Sequence, residues 1–278
     1  MNQVTGSAFA DTFVGGTAFV SPGYSGSESF RGLAGNDWID GGSGTDWAKY
    51  DTDGAISTGI TVDMANGIVV GDPLLTGTDT LRSIELIRGT WLADTYSAIG
   101  FSANSLNAGS SGTYNEFEGM GGDDTIIGNG NTRVCYYMAR SGVTVTFTSN
   151  QGFVNGVYQG ASGTATGDAS VGTDTFSGAN GANGSLFDDI FIGSDNPNWG
   201  GQEWFRSNAG NDYIDGRGGQ DGSDYQYAEV FGISVNMAAG VVSGDVTIGT
   251  DTLRSIEMIS GSNFSDTYDA TGFGSNSV

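Results

Sequence analysis

Apolar and polar positions alternate strictly in three places along the chain. Ile60, Val62 and Met64 fall on one side of a segment whose other side is Thr61 and Asp63. Val143, Val145 and Phe147 repeat the pattern, as do Ile233, Val235 and Met237. A period of two predicts strands. The segment DTLRSIELIRG at 79–89 has a helix-like spacing, but its counterpart at 174–184 reads DTFSGANGANG, which no stable helix tolerates. Strand and turn are therefore expected at both.

The strands belong to a longer repetition. GTDTLRSIELIRGTWLADTY at 77–96 returns as GTDTLRSIEMISGSNFSDTY at 249–268 and, more loosely, as GTDTFSGANGANGSLFDDIF at 172–191. Internal repeats of this kind mark arrays of stacked units. Taking the Asp-Thr segments at Asp11, Asp94, Asp189 and Asp266 as module starts, the boundaries are 1–93, 94–188, 189–265 and the opening of a further module at 266–278. Each module runs from an Asp-Thr segment through a variable loop, two glycine-rich nonapeptides and a strand pair to GTDT. The chain is expected to be one stretch of a longer array.

The nonapeptides read GLAGNDWID at 32–40, GGSGTDWAK at 41–49, GMGGDDTII at 119–127, GNGNTRVCY at 128–136, SNAGNDYID at 207–215 and GRGGQDGSD at 216–224. Glycines permit tight turns, and the acid adds a carboxylate where the turn ends. Calcium needs six to eight oxygens, mixing carboxylates and carbonyls. The three residues after each acid form a short strand with the middle one inward, which assigns Ile39, Ala48, Ile126, Cys135, Ile214 and Ser223 to the interior. Trp38, Thr125 and Tyr213 are expected outside.

This pattern resembles the hemolysin-type or RTX calcium-binding repeats, and the GTDT segments resemble what flanks such repeats in secreted bacterial proteins. The resemblance implies an all-β, right-handed parallel β-roll or β-helix solenoid stabilised by several calcium ions. The candidate ligands are Asp11, Asp37, Asp46, Asp79, Asp94, Asp124, Asp174, Asp189, Asp212, Asp221, Asp251 and Asp266. Two nonapeptides make one coil, so Asp37 and Asp46 lie on opposite edges, and each needs a partner from another turn. For Asp37 the candidates are the turns of Asp11, Asp79 or Asp94. Glu85 and Glu257, in the inexact SIE segments, are read as outward or packing residues rather than ligands. Arg133 stands where an Asp belongs, so that turn is expected to lack an ion, either because the guanidinium stands in for it or because the repeat has decayed.

Composition narrows the function. The formal net charge is −23, from 32 acidic and 9 basic residues. Such a chain attracts cations and repels nucleic acid and anionic membranes. The absence of histidine removes imidazole bases, Ser-His-Asp triads and HExxH sites. The single Cys135 forms no internal disulfide and fills an inward slot. No apolar run is long enough to span a membrane, so membrane insertion is not expected. Trp38, Trp47, Trp91, Trp199 and Trp204 are read as cover for the sides of the solenoid before a glycan surface.

The expectation is a non-enzymatic, extracellular or cell-surface segment that folds on calcium after export: part of a surface layer, filament or adhesin shaft. Its partners are calcium ions and, at the open ends, neighbouring repeats or copies of itself. The alternative is an accessory or secretion module of an enzyme exported by type I secretion. Catalysis by paired carboxylates ranks last, because the acids are committed to turns.

Overall fold

The computed structural model describes residues 2–16, 26–52, 56–154, 157–196 and 202–274. Trp199 lies outside them. All regular structure among the described residues is strand, mostly in pieces of three to five residues. The chain divides into two compact units, Met1–Arg133 and Val134–Val278.

In the first unit, short strands stack in parallel into two columns. On one column Thr12–Val14, Trp38–Asp40 and Thr78–Arg82 are in register, aligning Phe13, Ile39 and Leu81. On the other, Ser29–Phe30, Trp47–Lys49, Leu86–Arg88 and Asn115–Glu118 align Phe30, Ala48, Ile87 and Phe117. These middle residues are all buried, while flanking Trp38 and Val14 are exposed. The two columns face each other across this core: Phe13 meets Phe30 at 5.9 Å and Tyr96 stacks on Phe117 at 4.8 Å. This is a parallel β-roll. All six slots assigned to the interior are buried.

The strand pairs join the sheet of the roll rather than lying on its surface. They are inserted into it. Thr61–Asp63 pairs antiparallel with Ile68–Val70, which pairs antiparallel with Thr78–Arg82. The outer strands of such a meander run parallel to each other, so parallel stacking resumes beyond it. Thr61–Asp63 pairs with Thr95–Ser97, which pairs with the start of Thr125–Cys135. The connection into the third strand is closed by Asp72. Its carboxylate accepts the Leu74 amide at 2.9 Å and its carbonyl accepts those of Thr76 and Gly77, both at 2.8 Å.

The second unit repeats the plan. Ile190–Ile192, Tyr213–Asp215 and Thr250–Arg254 stack in parallel. A meander through Val241–Ser243 and Ser234–Asn236 follows, and Thr267–Asp269 resumes the parallel order. The facing column is Gly181–Asn183, Trp204–Arg206, Gly222–Asp224 and Met258–Ser260. Phe205 joins the two columns, 5.6 Å from Phe191 and 5.8 Å from Phe147.

One packing exchange distinguishes the units. Ser29 pairs with Trp47 in the first, whereas Trp204 pairs with Gly222 in the second. The large ring has moved one coil along, and it fills the space beside Gly222, where a Cβ would lie 2.6 Å from Trp204 ring atoms. Gly222→Ala is expected to destabilise by about 1–3 kcal/mol through overpacking. Adding Trp204→Ser should recover most of that in thermal unfolding, because the clash is with a side chain rather than with backbone.

Candidate metal centre

The nonapeptide turns that end in Asp share one backbone. Their second residue is left-handed: Leu33 at φ 71°, Gly42 at 79°, Met120 at 69°, Asn208 at 67° and Arg217 at 59°. Their fourth residue is always glycine, at φ 130°, 135°, 114°, 136° and 141° for Gly35, Gly44, Gly122, Gly210 and Gly219. Side chains other than hydrogen are strongly disfavoured there, which accounts for the invariant glycine two residues before each acid.

The acids that end these turns form ladders between coils. The Asp11 amide donates to Asp37 Oδ1 at 2.8 Å, and the Asp37 amide donates to Asp79 Oδ1 at 2.9 Å. On the opposite edge the Glu28 amide donates to Asp46 Oδ1 at 2.7 Å and the Asp46 amide to Glu85 Oε2 at 3.0 Å. The second unit repeats both. Asp189, Asp212 and Asp251 are linked by amide-to-Oδ1 bonds of 2.7 and 3.1 Å. Glu203, Asp221 and Glu257 are linked by bonds of 2.9 Å each. Asp94 and Asp124 form a further pair, at 2.8 Å. Asp37 thus stacks between Asp11 and Asp79, while Asp94 belongs to another ladder.

The remaining oxygens carry the chemistry. Oδ2 of Asp37, Asp46, Asp79, Asp212 and Asp221 is buried and has no hydrogen-bond partner, and each of these residues is at most 2% exposed. A buried, unpartnered carboxylate oxygen is costly unless something positive meets it. At Gly41 the Asp46 Oδ2 lies beside the Ser83 carbonyl oxygen, and at Gly216 the Asp221 Oδ2 lies beside that of Ser255. Both serines are left-handed, at φ 49° and 48°, which aims those carbonyls at the neighbouring turn. Carboxylate and carbonyl oxygens converging where a Cβ would sit is a donor set for a hard cation. Among the described residues no three acidic side chains form a metal-type cluster, so carbonyls have to share the work.

Burial pushes these carboxyls upward. Asp79 rises to about 7, mainly by desolvation. Asp37 and Glu85 also rise, again with desolvation as the main cause. Asp46, Asp212 and Asp221 rise further, with desolvation first and neighbouring carboxylates of their ladders adding to it. A bound cation would counter both causes.

Residues 22–48, 115–132 and 200–222 match the RTX calcium-binding nonapeptide repeat, in four copies. The chain carries RTX repeats. RTX nonapeptides bind calcium, and the oxygen-only donor set at these turns fits that ion. No curated protein matches the chain. The RTX match over 22–48 begins ahead of the first regular nonapeptide and takes in Glu28.

Glu28 and Glu203 were not among the residues anticipated from sequence. Their signal was the spacing: Glu28, Asp37 and Asp46 are nine apart, as are Glu203, Asp212 and Asp221. Each glutamate therefore sits one full coil from the second aspartate, on the same edge. Of the outward or packing roles expected for Glu85, the outward one does not hold. Glu85 is 2% exposed and is a rung of the ladder. Glu257 is exposed, yet occupies the same rung of its own ladder. At Arg133 a cation stands in the place that Asp46 takes in the first nonapeptide pair. Its guanidinium lies over the Tyr114 ring at 6.0 Å, and Asn115, in the place of Glu28, accepts from Tyr96 Oη and Thr132 Oγ1.

The anticipated aspartates fall into three settings. Asp37, Asp46, Asp124, Asp212 and Asp221 end glycine turns. Asp79, Asp174 and Asp251 lie on GTDT strands and are fully buried. Asp251 Oδ2 accepts Ser207 Oγ and Tyr225 Oη, at 2.9 and 3.0 Å, and the buried Tyr50 hydroxyl likewise stands beside Asp79. The third setting holds Asp11, Asp94, Asp189 and Asp266, whose carboxylates are occupied by their own turns.

Proposed function

We propose that the chain is a calcium-dependent structural segment of a secreted, repetitive surface protein, non-catalytic in itself, that becomes rigid when it meets calcium outside the cell. The observation that carries this reading is the stack of buried, unpartnered aspartate oxygens at the nonapeptide turns. They leave the fold electrostatically incomplete at low calcium and complete at high calcium. A net charge of −23 opposes compaction in the same sense. Among the described residues no helix is long and apolar enough to cross a membrane. The open edges of stacked coils favour lateral or end-to-end association in a layer, filament or shaft.

The test is a calcium titration followed by circular dichroism and light scattering. Strand signal is expected to appear with calcium, and particle mass to rise with protein concentration in its presence. Equal folding in calcium-free buffer would sink the calcium reading, and a strictly monomeric folded chain would sink the assembly reading. Asp46→Asn and Asp221→Asn should each raise the calcium concentration at half-folding by about tenfold, since each removes the central charge of a ladder.

A further inference from the structure

Four turns of the same length as the nonapeptide turns are built differently. They are GSAFAD at 6–11, GTWLAD at 89–94, GSLFDD at 184–189 and GSNFSD at 261–266. None of their residues has a left-handed φ. In each, the hydroxyl residue at the second position donates its amide to the aspartate Oδ2: Ser7 at 2.6 Å, Thr90 at 2.7 Å, Ser185 at 2.7 Å and Ser262 at 3.0 Å. The hydroxyl itself also donates to the carboxylate, at 2.9, 2.9, 2.8 and 2.6 Å in the same order. In three of them the other carboxylate oxygen accepts an amide from the adjacent coil: Ile60 to Asp94, Val143 to Asp189 and Ile233 to Asp266. The fourth position holds Phe9, Leu92, Phe187 or Phe264 in place of glycine.

The contrast with the glycine turns lies in the backbone and in the donors to the carboxylate, not in the oxygens around the first glycine: Asp11 Oδ2 and the Gly32 carbonyl meet beside Gly6, and Asp189 Oδ2 and the Ser207 carbonyl beside Gly184, much as at Gly41 and Gly216. Where glycine stands fourth, the backbone turns through two positive φ values, and in Asp37, Asp46, Asp212 and Asp221 one buried oxygen is left without a partner. Where Ser or Thr stands second and Phe or Leu fourth, the carboxylate is satisfied by its own turn. The locked turns also serve as bases for open ones. The space beside Gly35 is filled by the Phe9 and Ala10 backbone, that beside Gly122 by Leu92 and Ala93, and that beside Gly210 by Phe187 and Asp188.

We propose that the second and fourth residues of each six-residue turn determine whether it takes calcium, and that Ser7, Thr90, Ser185 and Ser262 exclude the ion by supplying the donors it would replace. Asp11, Asp94, Asp189 and Asp266 then hold no calcium. They mark the first turn of each module with a turn that closes at any calcium concentration. This inference rests on the calcium reading of the glycine turns.

The experiment counts bound calcium by equilibrium dialysis of the full chain. Asp212→Asn should lose bound calcium relative to the wild type. Asp94→Asn should retain the wild-type count and show only a lowered melting temperature in saturating calcium. The double substitution Thr90→Gly with Leu92→Gly rewrites GTWLAD as GGWGAD, a regular nonapeptide turn, and should gain one calcium per chain. Loss of an ion in Asp94→Asn matching that in Asp212→Asn would overturn the proposal. So would a folded Thr90→Gly/Leu92→Gly chain that binds no more than the wild type. If the double variant does not fold, Asp94→Asn decides alone. A wild-type chain that binds no calcium would instead refute the parent reading.

Discussion

In calcium-free buffer, the strand structure that the chain retains is expected to melt at a higher temperature at pH 5 than at pH 8, by roughly 5–10 °C. Most soluble domains do not lose stability over that range. The reason lies in the buried carboxyls of the ladders. Asp79 titrates at about 7 in the fold against 3.8 for an unperturbed aspartate, chiefly because burial penalises its charge. Asp46, Asp212 and Asp221 are displaced in the same direction by burial and by their acidic neighbours.

Between pH 3.8 and the raised value, the folded chain binds more protons than the unfolded one, so stability falls as pH rises. Below that window both states are protonated and the penalty vanishes. Above it the penalty is complete. Asp245 works the other way: although desolvation opposes it, donors from Thr247, Val230 and Phe231 hold it at about 2. Its contribution is lost only as pH falls below about 4, outside the interval compared.

Calcium should flatten the dependence, because the ion takes the place of the proton and favours the charged form. At a concentration ten times Kd each ion adds about 1.4 kcal/mol. Melting curves at the two pH values, with and without calcium, check both statements. Greater stability at pH 8 in calcium-free buffer would contradict the assignment of these oxygens as cation sites.

The second large effect concerns backbone rather than charge. Gly249→Ala is expected to cost about 4 kcal/mol or more, enough to abolish cooperative unfolding at moderate calcium. Gly249 has φ 80°, and a Cβ there would overlap the Gly210 carbonyl oxygen and approach its carbon to 2.8 Å. No side chain can rotate away, so the coils must separate, which strains the Asp212-to-Asp251 bond. Gly77 stands in the same relation to Gly35 in the first unit. Gly112 supplies the control: its φ is 70° but nothing lies within 4 Å of a Cβ. Gly112→Ala should cost only the left-handed penalty, about 1 kcal/mol. Equal losses in the two variants, measured by denaturant unfolding, would show that close approach between coils is not what Gly249 serves.

The strands and the inward slots were legible because both rest on local rules. Period-two alternation places Val62 and Val235, and the nonapeptide places Ile39 and Ile214. The placement of the strand pairs was not legible. Whether Ile68–Val70 lies on the roll or within its sheet depends on pairing with Thr78–Arg82, and nothing local to either segment encodes that choice. Glu28 and Glu203 escaped because they carry Glu where the pattern has Asp, although Gly26 and Gly201 stand two residues before them and the nine-residue spacing to Asp37 and Asp212 was present. Glu85 escaped because its turn is shorter, with a left-handed Ser83 standing where a glycine turn would be. The difference between Asp37 and Asp94 was written in the sequence, at Gly35 against Leu92. Its meaning needed the hydrogen bonds.

The inserted meander has a consequence for how such a chain would report calcium. An unbroken column of stacked sites behaves as a one-dimensional lattice in which filling one site favours the next, and its response steepens with column length. Here Asp79 is followed on its column by the antiparallel Ile68–Val70 strand, and Asp251 by Val241–Ser243. The ladders of Asp11, Asp37 and Asp79 and of Asp189, Asp212 and Asp251 are therefore each cut after three rungs. The binding curve should be shallow, with a low Hill coefficient: a material that stiffens by degrees across a range of calcium concentrations rather than switching at one.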